Sequence, residues 1–172
     1  DRMLRGLWVD INKERVYYSY DQDKQFFKQK EYDPDVNHPV IVSFDFNIGE
    51  GKPMSSCLMQ FINGTFHVFN ESVIHGARTL DVCEDYFNRG LLKKEYRYSI
   101  CGDATGMARS TNSLQSDYDL IEKFFANHNL RFEMDVPRNN PPIKTRHNIV
   151  NSHCLNDKGE VRILIYKDAK TV

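Results

Sequence analysis

The chain has 172 residues, of which 40% are hydrophobic and 27% charged, with a formal net charge of −1. That length and composition fit one domain with one core. The balanced charge excludes a global basic field for nucleic acid, so such a function must rest on a local patch, on metal ions or on a partner domain. No apolar run is long enough to span a bilayer, so no membrane partner is expected. We read no signal peptide, and the start at Asp1 rather than Met leads us to expect a fragment. Aromatic residues make up 12%, nearly all Phe and Tyr with a single Trp8, which favours strands. Cys57, Cys83, Cys101 and Cys154 form no C-x-x-C pair, and three lie inside apolar patterns. Reduced core thiols in an intracellular setting are expected. The six histidines show no H-x-x-x-H spacing, which argues against zinc.

Leu4–Asp10 and Arg15–Tyr20 read as two short strands, and Asp21–Asp35 as a charged linker ending at Asp33-Pro34. Val40–Asn47 is a near-continuous apolar run, as in a central strand covered on both faces. Met54–Ile62 and Phe66–Asn70 are strands joined by Asn63-Gly64, a strong hairpin signal. The glycosylation patterns at Asn63 and Asn70 are discounted without a secretory signal. Thr79–Leu91 has a helical apolar period, and Arg97–Cys101 reads as a strand. Ser116-Asp117-Tyr118-Asp119 predicts a capping box opening a helix, with Tyr118, Ile121, Phe124 and Phe125 as its buried stripe. Leu130–Val136 is a strand, and residues 137–142 form a proline-bearing loop. Thr145–Leu155 fits a helix with Ile149 and Val150 inward, and Val161–Tyr166 is the last strand. An initial meander favours antiparallel pairing and helical crossovers favour parallel pairing. The expected fold is therefore α/β, a mixed sheet with an antiparallel three-strand meander, parallel strands and helices on both faces.

Asp45 and Asp103 each end a short apolar run, Val40–Phe44 and Tyr98–Gly102. A carboxylate at a strand end is anchored by buried backbone while its oxygens face a cleft. Two on neighbouring strands could share hard divalent cations, which prefer oxygen ligands. Two such ions about 4 Å apart suit phosphodiester hydrolysis. The competing reading makes each a turn residue, and spacing alone leaves both open. Gly49-Glu50-Gly51-Lys52 lacks the Walker pattern, because Phe46 and Pro53 stand where Gly and Ser or Thr are needed. We reject nucleotide binding there and read a mobile loop in which Lys52 is solvated or touches a phosphate.

Several short motifs, in order, resemble one family. Asp45-Phe46-Asn47, Pro53-Met54-Ser55, Gln60 and Asn70-Glu71 resemble the first half of the C-terminal nuclease domain of tailed-phage large terminase subunits. Gly102-Asp103-Ala104-Thr105-Gly106 resembles its second motif, and Asn140-Pro141-Pro142 with Arg146 and Val150-Asn151 its late loop and helix. Gly6-Leu7-Trp8 and Val16-Tyr17 resemble the segment joining a preceding ATPase domain. The resemblance implies residues 1–38 as N-terminal strands and linker, and residues 39–172 as an RNase H-like nuclease domain lacking its C-terminal end. It implies Asp45 and Asp103 as catalytic metal ligands for two divalent ions, Mg2+ or Mn2+, with a third carboxylate on a helix beyond Val172. Glu71 or Asp168 could instead complete the site.

The implied activity is metal-dependent endonucleolytic cleavage of double-stranded DNA during genome packaging, in the cytoplasm of an infected bacterial host. The implied partners are DNA, the ATPase domain of the same polypeptide, the portal protein and the small terminase subunit. Arg109, Lys144 and Arg146 lie on or beside loops beyond strand ends and are candidate phosphate contacts, with surface solvation as the alternative. No recognition helix with a basic face is read, so weak sequence specificity is expected. The alternatives are another RNase H-like nuclease, such as a resolvase or transposase, and a non-catalytic DNA-binding or scaffold domain of the packaging motor.

Overall fold

The computed structural model describes residues 15–27, 31–46, 52–108 and 114–169. Seven strands form one mixed sheet: β1 (Phe26–Phe27), β2 (Val40–Asp45), β3 (Pro53–Ile62), β4 (Thr65–His75), β5 (Arg97–Gly102), β6 (Arg131–Met134) and β7 (Ile163–Asp168). Their order across the sheet is β1-β7-β4-β3-β2-β5-β6. The meander β2-β3-β4 is antiparallel, while β2–β5, β5–β6, β4–β7 and β1–β7 are parallel. This is the mixed sheet expected from the order of apolar runs. The Asn63-Gly64 hairpin forms with φ of 51° and 79°, the positive values that match the twist of flanking strands.

Helices α1 (Gln22–Gln25), α2 (Thr79–Asn88), α3 (Asp117–Asn127) and α4 (Ile143–Cys154) complete the fold. One sheet face carries Val40, Val42, Phe44, Leu58, Tyr98 and Ile100, and it packs against Val82 and Tyr86 of α2 and Ile121 and Phe125 of α3. The alternation of β2 places Ile41, Ser43 and Asp45 on the opposite face. There a smaller cluster of Val68, Ile165 and Ala169 is covered by Tyr20 and Phe26 of the N-terminal segment. Ser116 caps α3 as predicted, with its hydroxyl accepting from the Asp119 N–H and the Asp119 carboxylate accepting from the Ser116 N–H.

Three local expectations are corrected. Residues 16–19 form a turn, not part of a strand. The Asn151 side chain of α4 takes up their backbone groups, donating to the Val16 carbonyl at 2.9 Å and accepting from the Ser19 N–H at 3.0 Å. The same contacts reverse the reading of α4, whose buried residues are Asn151 and Cys154, while Ile149 is 51% exposed. The segment read as a charged linker holds α1 and β1, and β1 pairs with β7 at the sheet edge. Gln25 anchors it by donating to the Cys154 carbonyl at 2.6 Å. The predicted strand Leu4–Asp10 lies outside the described residues.

Gln60 is fully buried in β3 and makes four bonds. Its amide donates to the Asp35 and His38 carbonyls, at 2.7 and 2.9 Å. Its oxygen accepts from the Asp35 N–H and the Tyr32 hydroxyl, at 2.9 and 3.1 Å. Gln60→Leu strands those partners, so urea unfolding should show a loss of about 2–4 kcal/mol. A neutral result would mean that the 32–38 loop is held by other contacts.

Candidate metal-binding and nuclease site

β2 and β5 run parallel in register, with Phe44 opposite Gly102. Asp45 and Asp103 are the next residues along, and the Asp103 N–H donates to the Phe44 carbonyl at 3.2 Å. Adjacent strands lie about 4.8 Å apart, so the two aspartates occupy neighbouring strand ends. Gly102 makes this approach possible. Its φ is +150°, and a Cβ there would sit 2.2 Å from the Phe44 carbonyl oxygen.

Asp103 is tightly held. Its Oδ1 accepts from the Asn140 amide at 2.7 Å and from the Thr105 N–H at 2.8 Å. Its carbonyl accepts from the buried Tyr118 hydroxyl at 3.0 Å. The Asn140 bond, the Thr105 bond and, more weakly, the charge of Arg146 hold its carboxyl below the usual carboxylate range. Asp103 is therefore ionised at neutral pH. Tyr118 belongs to the buried stripe of α3 as predicted and also reaches this loop with its hydroxyl.

Asp45 is exposed and lines a cleft of about 200 Å³ with Ser43, Ser55, Cys57, Glu71 and Val73. The sheet register explains this grouping, because Asp45 faces Ser55, Ser43 faces Cys57, and Cys57 faces Glu71. Glu71 lies inside β4 rather than at its end, because β4 runs on to His75 after a bulge at Phe69. Glu71 also borders a second groove with Asp168, Asp85 and Arg89. Arg89 donates to the Glu71 carbonyl at 2.8 Å and to Asp85 at 2.9 Å. Asp168 ends β7 opposite Asn70, across β3 and β4 from Asp45.

Lys144 and Arg146 are exposed on the first half of α4. Residues 136–155 contain Arg138, Lys144 and Arg146 and no carboxylate, so this segment is a local basic stretch on a chain of net charge −1. Lys52 is exposed just before β3. Arg109 lies outside the described residues. Sequence reasoning noted Asn140 only as part of a motif. Its contact with Asp103 spans 37 positions and left no local signal.

The donor set suits a hard divalent cation in part. Two carboxylates on adjacent strand ends supply charged oxygens, which Mg2+ and Mn2+ favour. Among the described residues no group of three His, Cys, Asp or Glu side chains could hold a metal ion. All four cysteines are free thiols, and burial pushes the Cys57 thiol up to about 12, which makes it a poor thiolate ligand.

No family model matches the sequence, and no curated protein does. Solved structures do match. The nuclease domain of the P22 large terminase superimposes with a TM-score of 0.60 at 10% identity, covering 91% of this chain and 74% of that one. The chain has the fold of a large terminase nuclease domain. The large terminase of a thermophilic bacteriophage, in complex with ATP-γ-S, matches with a TM-score of 0.57 at 15% identity. That match covers 90% of this chain and 34% of the phage protein, so the chain spans about a third of the length of that large terminase. The terminase nuclease fold expected from the motifs, an RNase H-like mixed sheet, is borne out. No helix among the described residues is long and apolar enough to cross a membrane.

Proposed function

We propose that this chain is the nuclease domain of a phage large terminase and cleaves double-stranded DNA during genome packaging. The observation that carries the reading is the pair Asp45 and Asp103 on adjacent parallel strand ends, in a terminase nuclease fold. Asp45 and Asp103 would hold two divalent ions, Mg2+ or Mn2+. Bound there, such ions supply Lewis acidity at the scissile phosphate and lower the pKa of a water. Asp103, ionised and fixed through Oδ1, is oriented before any ion arrives. Asp45 faces the open cleft and supplies oxygens from the other strand. Glu71 lines the same cleft as Asp45 and is the further carboxylate that would join Asp45 and Asp103.

Lys144 and Arg146, exposed on α4, would take duplex phosphates together with Arg109. These contacts carry no base information, so cleavage should depend little on sequence. Residues 1–38 would lead from an ATPase domain of the same polypeptide into the nuclease domain at residues 39–172, with β1 of this lead-in segment pairing onto the nuclease sheet. The remaining partners would be the portal protein and the small terminase subunit, in the cytoplasm of the infected bacterium.

A manganese soak and a plasmid-nicking assay test the reading together. We expect ions bridging Asp45 and Asp103, and cleavage in Mn2+ or Mg2+ that EDTA abolishes. Carboxylates more than about 8 Å apart could not share ions spaced near 4 Å. That separation, or nicking unaffected by EDTA, would sink the two-ion reading.

A further inference from the structure

Asn140 joins two parts of the molecule that the sequence keeps 36 and 37 positions apart. Its Nδ2 donates to Asp103 Oδ1 at 2.7 Å, and its own Oδ1 accepts from the Ala104 N–H at 2.9 Å. Both ends of the amide are used. One orients the Asp103 carboxylate, and the other holds the 3-10 turn Ala104–Met107 that follows. Pro141 and Pro142 come next, and α4 opens directly after Pro142, whose φ is −52°. Prolines restrict the backbone, so the distance from the clasp to the first turn of α4 varies little. Arg146 donates its N–H to the Pro142 carbonyl at 3.1 Å and lies on the turn thus placed.

The chemistry demands an asparagine. An aspartate could not donate to Asp103 and would set a like charge beside it. A glutamine is one methylene longer, and an alanine makes neither bond. We propose that Asn140 is a positioning residue for Asp103. It fixes the carboxylate through one oxygen so that a divalent cation meets the other in a set orientation. The same clasp sets Lys144 and Arg146 at a fixed offset from that ion. This role rests on the nuclease reading, and it assigns Asn140 no contact with substrate or metal.

Two variants, Asn140→Ala and Asn140→Asp, test it with three measurements. The first is amide hydrogen exchange at Ala104, without metal or DNA. Exchange should quicken at least about tenfold in Asn140→Ala, as for an amide that loses its acceptor. Unchanged exchange means that no clasp exists, and overturns the proposal. The second is Mn2+ affinity by calorimetry and by the Mn2+ concentration giving half-maximal nicking. Partners that orient a ligand typically contribute 10–100-fold in metal affinity, so a weakening of about tenfold or more is expected. Asn140→Asp also loses the donor, but its added negative charge favours a cation, so it should weaken Mn2+ binding less than Asn140→Ala. The third is nicking at saturating Mn2+, which should return to within a few-fold of wild type.

Faster exchange with an unchanged Mn2+ requirement would leave Asn140 a loop stitch and overturn the role. Equal loss at low and saturating Mn2+, with a lowered unfolding midpoint, would do the same. A wild-type chain that neither binds Mn2+ nor nicks DNA overturns the nuclease reading and, with it, the role. The exchange result then still tells whether the clasp forms.

Discussion

Asp45→Asn is expected to abolish metal-dependent nicking while leaving the domain folded. The side chain is exposed at the end of β2, and its neighbours Val42 and Phe44 supply the packing from the other face. Asparagine keeps the shape and removes the charge that would hold a divalent ion. Since partners that merely orient a ligand are worth 10–100-fold, loss of a ligand itself should exceed about 100-fold. Exposed substitutions of this kind usually change stability by no more than about 0.5 kcal/mol. The check is paired: plasmid nicking across a Mn2+ titration, and urea unfolding of the same preparation. A folded variant that still nicks at the wild-type rate would remove Asp45 from the site. Loss of cooperative unfolding would assign it a structural role instead.

Gly102→Ala is expected to give the largest stability loss of any glycine-to-alanine change among the described residues. The backbone at Gly102 has φ of +150°, where an L side chain is strained, and the new Cβ would lie 2.2 Å from the Phe44 carbonyl oxygen. It would also lie 3.0 Å from the Phe44 C and N atoms. These are backbone atoms of the central β2–β5 ladder, and the same carbonyl accepts from the Asp103 N–H. Relief requires moving one strand from the other. Backbone strain of this kind costs about 1–3 kcal/mol before any clash is counted, so a loss above about 3 kcal/mol is expected.

Gly106→Ala is the internal control. Its Cβ would meet the Phe46 ring, with the closest atom at 2.4 Å. A ring edge can rotate away where a strand carbonyl cannot, so Gly106→Ala should be the milder variant. Urea unfolding of both, with nicking measured on whatever folds, gives the comparison. Equal stabilities for Gly102→Ala and wild type would mean that β2 and β5 approach less closely than described.

The sheet was legible because burial and backbone pairing leave local marks. The apolar run at Val40–Phe44, the Asn63-Gly64 turn and the Ser116 capping box each encode an element within a few residues. Asp45 and Asp103 were legible for the same reason, since each follows a run that must be a buried strand. Their closeness needed the register of β2 on β5, which no local pattern carries. Glu71 illustrates the limit. A strand end was inferred at Asn70, but the bulge at Phe69 let β4 continue and brought Glu71 into the Asp45 cleft.

Where polar side chains made contacts across the chain, sequence periodicity misled. Ile149 and Val150 fit the inward stripe of α4, yet Asn151 and Cys154 are the buried residues, because Asn151 captures the turn at residues 16–19. The charged 21–35 segment gave no strand signal because β1 is two residues long and borrows its register from β7. The sequence by itself determined β2 to β7, the hairpin, the capped helix and the placement of two aspartates at strand ends, since apolar burial and turn chemistry act over a few residues. Only the tertiary structure decided which carboxylates share a cleft, which face α4 buries, and that Asn140 grips Asp103. Those outcomes depend on hydrogen bonds between residues tens of positions apart, whose partners exist only once the sheet has assembled.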